Sequence, residues 1–264
     1  MDVFTPIALL VSLATIVVGI LFLGGSMVDY LDLASALLVV VPTFGSLFAA
    51  FPIGQMLRTF KHFRIVLGMQ KFDPVEYVEI ISNLAEKART QGLLVLESEA
   101  EKVEDDFVKK AAMMVADAEE AEVVEARLMG IIDATTARHA ESWAIYDKGA
   151  ALAPAFGMVG TLVGLINMLM NLDFSDAGGV SSLGMNMSAA MITTLYGSMF
   201  ANLWFAPLGT KLRARHQIEI ECKEIVVAGI LAIQRGVNPR VVKEMLMEQI
   251  DPNVKIKAAK AEDD

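Results

Sequence analysis

Residues 1–57 contain no lysine or arginine, and neither do residues 149–210. All 22 basic residues of this 264-residue chain fall in two blocks, Arg58–Lys148 and Lys211–Lys260. Cysteine is nearly absent as well. The single Cys222 can form no internal disulfide and has no companion at metal-ligand spacing, so it reads as a small packed residue. The three histidines, His62, His139 and His216, stand far apart with no zinc spacing, and no bound cofactor or metal is expected. The G-x-S-x-G and Walker G-x-x-x-x-G-K-[ST] patterns are missing, which removes the commonest hydrolase and nucleotide-binding readings. A net charge of −10 without a basic stripe argues against nucleic acid as a partner. The chain does not read as an enzyme.

What is there is apolar. Runs without any charge cover Val3–Val28, Leu33–Leu57, Gly149–Leu172 and Ala177–Thr210. A helix needs about 20 apolar residues to cross a bilayer, and each run supplies them. The connectors within each pair hold only acids, Asp29 and Asp32 in the first and Asp173 and Asp176 in the second. Because lysine and arginine remain on the cytoplasmic side, the pattern predicts two membrane hairpins with outward tips and both termini in the cytoplasm. The expected fold class is all-α, a polytopic membrane protein with four transmembrane helices and a helical cytoplasmic domain. Its expected divisions are 1–57 and 149–210 in the membrane, 58–148 and 211–264 in the cytoplasm. The first run is longer than a signal-peptide core and has no basic residue before it, so it is expected to persist as a span.

Punctuation marks the remainder. Asp73-Pro74 is a helix start, with Asp as N-cap and Pro in the first turn, and Gly92 is a stop. No proline follows until Pro154, which leaves room for several packed helices or a very long one. Residues 97–125 hold 11 acids against three lysines, interleaved with Val103, Phe107, Met113, Met114 and Val123. Such a face is a solvated surface or a docking surface. The basic-aromatic stretch R-T-F-K-H-F-R (58–64) reads as an interfacial anchor. After the fourth span a helix over 216–233, a turn at Gly236 and Asn238-Pro239, a short helix over 241–250 and a disordered tail from Lys255 are expected.

The spans lack any Asp, Glu, His, Lys or Arg in their cores. Cation paths through membranes usually rely on such a group. This chain is therefore a passive wall, or one side of a path whose carboxylate belongs to a partner. Gly157, Gly160 and Gly164 form a ridge on which a neighbouring backbone can rest. Pro154 and Thr161 share its side of span three. In span four Thr194, Gly197, Ser198 and Ala201 share a face, Thr193 lies about 100° away, and Pro207 ends or kinks the helix. The threonines either bond back to their own helices or line a polar path.

At these residues the chain resembles the A subunit of the bacterial flagellar stator, the MotA/PomA family. The likeness spans essentially the whole length. It rests on A-P-A-F-G-M-V-G-T-L-V-G-L in span three, T-T-L-Y-G-S-M-F-A-N in span four, Pro207-Leu-Gly-Thr-Lys-Leu after it, and A-R-T-Q-G-L-L-V-L-E at 88–97. The resemblance implies an inner-membrane homo-pentamer around a dimer of a single-span, MotB/PomB-type B subunit that carries the ion-binding aspartate. It further implies cation flow, H+ or Na+, coupled to torque on the rotor protein FliG. By position, Arg89 and Glu97 match rotor-contacting charges and Pro154 and Pro207 match two prolines tied to conformational change. Thr161, Thr193 and Thr194 match polar residues beside the ion path. The Thr193-Thr194 pair before Leu-Tyr-Gly looks more like the sodium-driven branch. Two other readings stand beside this one. An ExbB/TolQ-like energiser of outer-membrane processes usually has three spans and an external N-terminus; a passive membrane scaffold would use the small-residue faces for packing alone.

Overall fold

A computed structural model describes residues 4–68, 72–170, 177–252 and Lys255, and every regular element among them is helical. In chain order the α-helices are α1 (Phe4–Phe22), α2 (Leu33–Ala50), α3 (Ile53–Leu67), α4 (Pro74–Gln91) and α5 (Val95–Ala100). They continue with α6 (Asp106–Ala116), α7 (Ala121–Met170), α8 (Ala177–Met199), α9 (Ala206–Gln234) and α10 (Pro239–Gln249). Contacts divide the chain into two compact units, 1–69 with 140–213 and 70–139 with 214–264.

The first unit holds the charge-free runs. Among the described residues three helical segments are long and apolar enough to cross a membrane: Phe4–Phe22, Met27–Ala50 and the one within Ala121–Met170. The fourth expected span is helical from Ala177 through the first turns of α9. Its Asn186, Ser188, Thr193 and Thr194 leave it less apolar than the others. No residue of α1 is buried. Its Ser12 and Thr15 hydroxyls donate to the carbonyls of Ala8 and Val11 at 2.9 and 2.8 Å, so neither needs water. Helix α2 starts where the Asp32 carboxylate accepts the Ser35 N–H at 2.9 Å. It then buries Ser35, Val39, Thr43 and Leu47, a strict four-residue stripe, and packs on α8. Phe44 meets Phe200 edge-on with centroids 6.3 Å apart and lies 6.2 Å from Phe205, in the core with Leu47, Tyr146, Ala153 and Leu208.

The second unit has a conventional core. Asp73 caps α4 through the Val75 N–H at 3.0 Å, with Pro74 in the first turn as expected. Gly92 ends the helix at φ 87°, a conformation that a Cβ would oppose. Asp105 caps α6 by accepting the Phe107 and Val108 N–H groups at 2.7 and 3.1 Å, and it also accepts the Tyr77 hydroxyl. Burial and that carboxylate push the Tyr77 phenol above its ordinary range. Asn238 caps α10 after the left-handed Gly236. Fully buried Val108, Leu128, Cys222, Ile230 and Leu246 join α6, α7, α9 and α10 in one core. Burial pushes the Cys222 thiol up to about 12, which leaves it a packed, unreactive group.

Three expectations need correction or completion. Residues 97–125 are not one surface, because Phe107 and Met114 enter the core while Met113 and Val123 stay exposed. Pro207 does not end a helix. The chain instead passes through a π-helical turn, Phe200–Phe205, in which the Ala206 N–H bonds to the carbonyl of Ala201 five residues back. Proline has no N–H to give to Leu203, and widening the ladder just before it keeps the chain helical. Pro154 likewise sits inside an unbroken 50-residue α7. Of the tail expected from Lys255 only Lys255 itself is described, as helical, and the acidic tip at Asp173 and Asp176 lies outside the described residues.

Candidate functional site: the seam between α7 and α8

The glycine ridge of α7 is pressed into α8. A Cβ on Gly157 would lie 3.1 Å from the Thr193 carbonyl, one on Gly160 2.6 Å from the Thr193 side chain, and one on Gly164 2.7 Å from the Ala190 Cβ. The fit is reciprocal, since a Cβ on Gly197 would lie 2.6 Å from the carbonyl of Ala153 and 3.2 Å from the Pro154 Cα. Small residues on both helices let the backbones approach where any larger side chain would hold them apart. Pro154 lies in this seam.

Close approach brings backbone oxygens within reach of the hydroxyls. Thr161 Oγ1 lies 3.1 Å from the Gly157 carbonyl of its own helix, 3.0 Å from the Ala190 carbonyl of α8, and in hydrogen-bond contact with Thr194 Oγ1. Thr194 Oγ1 is 3.5 Å from the Gly157 carbonyl, and Thr193 donates to the Ala190 carbonyl at 2.7 Å. Thr161 and Thr194 carry two protons between them and face three kinds of acceptor, so oxygen lone pairs outnumber donors. Thr193 is buried against Gly160, whereas Thr194 is exposed at the edge of the seam. The expected single face of span four therefore splits: Gly197 and Ala201 are buried, Thr194 and Ser198 exposed. The Ala190 and Gly157 carbonyls were not foreseeable, because every residue has a carbonyl and only docking selects which ones count.

Close to the C-terminal end of α8, Tyr196 ties the helix to the segment joining α1 and α2. Its hydroxyl donates to the Tyr30 carbonyl and accepts the Asp32 N–H at 3.2 Å. A tyrosine in an otherwise apolar run signals such a partner, since a buried hydroxyl usually finds one. Below the seam, a Cβ on Gly149 would lie 2.4 Å from the Phe205 ring. Pro154 and Pro207 follow these two contact residues at a distance of five and two positions.

The two charged candidates belong to the other unit. Arg89 is exposed in the last turn of α4, and one guanidinium nitrogen donates to the Gly236 carbonyl at 2.9 Å. Arg89 thus clasps the turn before α10 while four of its five N–H groups stay available. Glu97 is exposed on α5, and its neighbour Glu99 pairs with Lys87 and, at 2.7 Å, with Lys102.

The apolar segment of α7, long enough to cross a membrane, packs on glycine against α8 with a hydroxyl and carbonyl cluster and, among the described residues, no ionisable side chain at their contact, as in a polytopic all-helical membrane protein. The chain belongs to the MotA/PomA family. It is 35% identical to Motility protein A of Treponema pallidum over 97% of this chain and 96% of that one. It is 32% identical to the chemotaxis protein PomA of Vibrio alginolyticus over 95% and 96% respectively. The MotA/TolQ/ExbB proton channel family matches residues 99–225. Among solved structures, a chain of the flagellar MotAB stator complex from Bacillus subtilis superposes with a TM-score of 0.85 at 27% identity, covering 98% of this chain and 99% of that one.

Proposed function

We propose that this chain is the A-type subunit of a flagellar stator in the inner membrane, in which the α7–α8 seam forms one wall of a cation path. The observation that carries this reading is the Thr161–Thr194 hydroxyl pair set on the Gly157 and Ala190 carbonyls, in segments that hold no ionisable side chain. Such a wall can help a cation shed water but cannot bind it by charge. The carboxylate comes from a dimer of a single-span B subunit enclosed by five copies of this chain. Two hydroxyls with surplus lone pairs suit the coordination of sodium better than the passage of a proton, which needs no cage, so sodium is the favoured ion. Both termini and the segment 58–148 face the cytoplasm, and residues 1–57 and 149–210 are membrane hairpins. Pro154 and Pro207, flanking the Gly149–Phe205 contact, transmit ion occupancy as a helix movement. Arg89 and Glu97 meet the rotor protein FliG.

The test removes one hydroxyl at nearly constant shape. Thr161→Val and Thr194→Val, co-expressed with the B subunit, should assemble normally. Losing one coordinating or hydrogen-bonding group should cost about 1–3 kcal/mol on the conducting step, which is roughly a 5- to 150-fold drop in ion flux. Thr→Ser should retain most of it. Normal flux through the Val variants would make these threonines packing residues and remove the case for sodium.

A further inference from the structure

His139 of α7 and His216 of α9, 77 positions apart, face each other with their Nδ1 atoms 3.1 Å apart and their rings nearly perpendicular. An Nδ1–Nδ1 contact this short needs one nitrogen to donate and the other to accept. Two donors at that distance would clash, and two bare lone pairs would repel. The pair is therefore satisfied with one proton between the facing nitrogens and broken when both carry one.

The surroundings sharpen that condition. From α9, Glu219 reaches within 3.9 Å of His139 Nδ1, but Lys223 already holds its other oxygen at 2.6 Å. From α7, Arg138 lies beside the pair with its guanidinium on the Thr135 hydroxyl at 3.0 Å. From α6, the Phe107 ring lies 5.7 Å from the Lys223 ammonium. The one carboxylate near the pair is therefore already held by Lys223 before either histidine is charged, and Arg138 adds a second cation beside His139. Among the described residues no group of three or more His, Cys, Asp or Glu side chains is arranged to hold a metal ion, so a shared proton, not a chelated cation, fits this contact. Burial first, with the neighbouring cations, holds both imidazoles below the usual histidine range. The His139 side chain remains 38% exposed, so protons have access.

We propose that His139 and His216 form an acid-sensitive latch between α7 and α9, closed by one shared proton and opened when both imidazoles are protonated. The sign follows from linkage. Groups held below their unfolded value take up protons on opening, so the latch is fully closed above about pH 6.5 and loosens as pH falls below it. Opening the neutral pair into two imidazoliums takes up as many as two protons, so the opening constant rises by up to about a hundredfold per pH unit. Neither the channel reading nor the rotor reading is needed for this device.

Hydrogen exchange of the full-length chain, purified in detergent in its native assembly, tests it between pH 7.5 and 5.5 after correction for intrinsic rates. Peptides covering 132–145 and 210–222 should lose protection by up to about a hundredfold per pH unit below 6.5, while the α4 and α10 core around Ile81 and Leu246 stays protected. His139→Gln and His216→Gln should flatten that dependence, and His216→Lys should show the loosened pattern already at pH 7.5. Unchanged wild-type protection across this range would overturn the latch, and so would an equal loss in the α4–α10 core. The wild-type titration decides the matter even if a variant fails to assemble. Where the Gln variants do assemble, an undiminished pH dependence in them would overturn the latch as well.

Discussion

The two units of this chain solve opposite problems with similar helices. The unit of 70–139 and 214–264 buries its own apolar residues: Leu128, Ile225, Ile230 and Leu246 are almost completely inaccessible. The unit of 1–69 and 140–213 leaves Phe22, Leu162 and Met170 on its surface and packs its seam with glycine and alanine instead. In water burial drives association. In lipid it does not, and close backbone contact with satisfied hydroxyls takes over. One unit is stabilised by what it hides, the other by how closely its helices approach.

That contrast can be broken most directly by truncating leucine or isoleucine in each unit. Leu128→Ala or Ile230→Ala should cost about 2–5 kcal/mol, seen as a large fall in the unfolding midpoint of the detergent-purified chain. Leu162→Ala should change stability by less than about 0.5 kcal/mol. An equal cost at Leu162 would mean that the membrane segment has a hidden core. The next largest effect belongs to the seam. Gly160→Val drives a side chain into Thr193 and should cost about 1–3 kcal/mol of overpacking, read as lost assembly on size exclusion. Gly184→Ala, with nothing within 4 Å of the added carbon, should assemble as wild type.

A smaller effect should follow from Tyr196→Phe, which removes the hydroxyl shared by the Tyr30 carbonyl and the Asp32 N–H. The expected loss is about 0.5–1.5 kcal/mol, localised by faster exchange at 27–35. If exchange there is unchanged, the first hairpin is held by the apolar stripe of α2 alone. Smallest in stability is Arg89→Gln, expected within about 0.5 kcal/mol of wild type because the clasp on Gly236 is exposed. Motility should nevertheless fall if Arg89 meets the rotor; a freely swimming variant would restrict this arginine to its structural bond.

Local chemistry was legible in the sequence. Asp73-Pro74 and Gly92 act within a few residues, so the bounds of α4 could be read off directly, whereas Asn238-Pro239, expected as a turn before a helix at 241, instead caps α10 and starts it at Pro239. The glycine ridge was also legible, because three small residues on one helical face admit few uses inside a membrane. The partners of those residues were not. That Gly157 and Ala190 supply the oxygens, that Arg89 clasps Gly236, and that His139 meets His216 all depend on which helices dock and at what height. The π turn escaped for a related reason: a missing N–H at Pro207 permits a stop, a kink or a widened ladder, and tertiary contacts of Phe200 and Phe205 with Phe44 accompany the third.

The π turn also makes this stretch the place where chain length and helix phase are linked. A widened turn is what an α-helix becomes when it absorbs one extra residue. Deleting a single residue between Phe200 and Phe205 would let the ladder close to its ordinary spacing. Everything beyond would then turn by about 100° about the helix axis. Gly209, whose hypothetical Cβ would lie only 3.2 Å from the Tyr146 Cβ, would be replaced there by its neighbour in the sequence. A one-letter indel at this point, unlike one in a loop, is a setting of the angular register between α8 and α9.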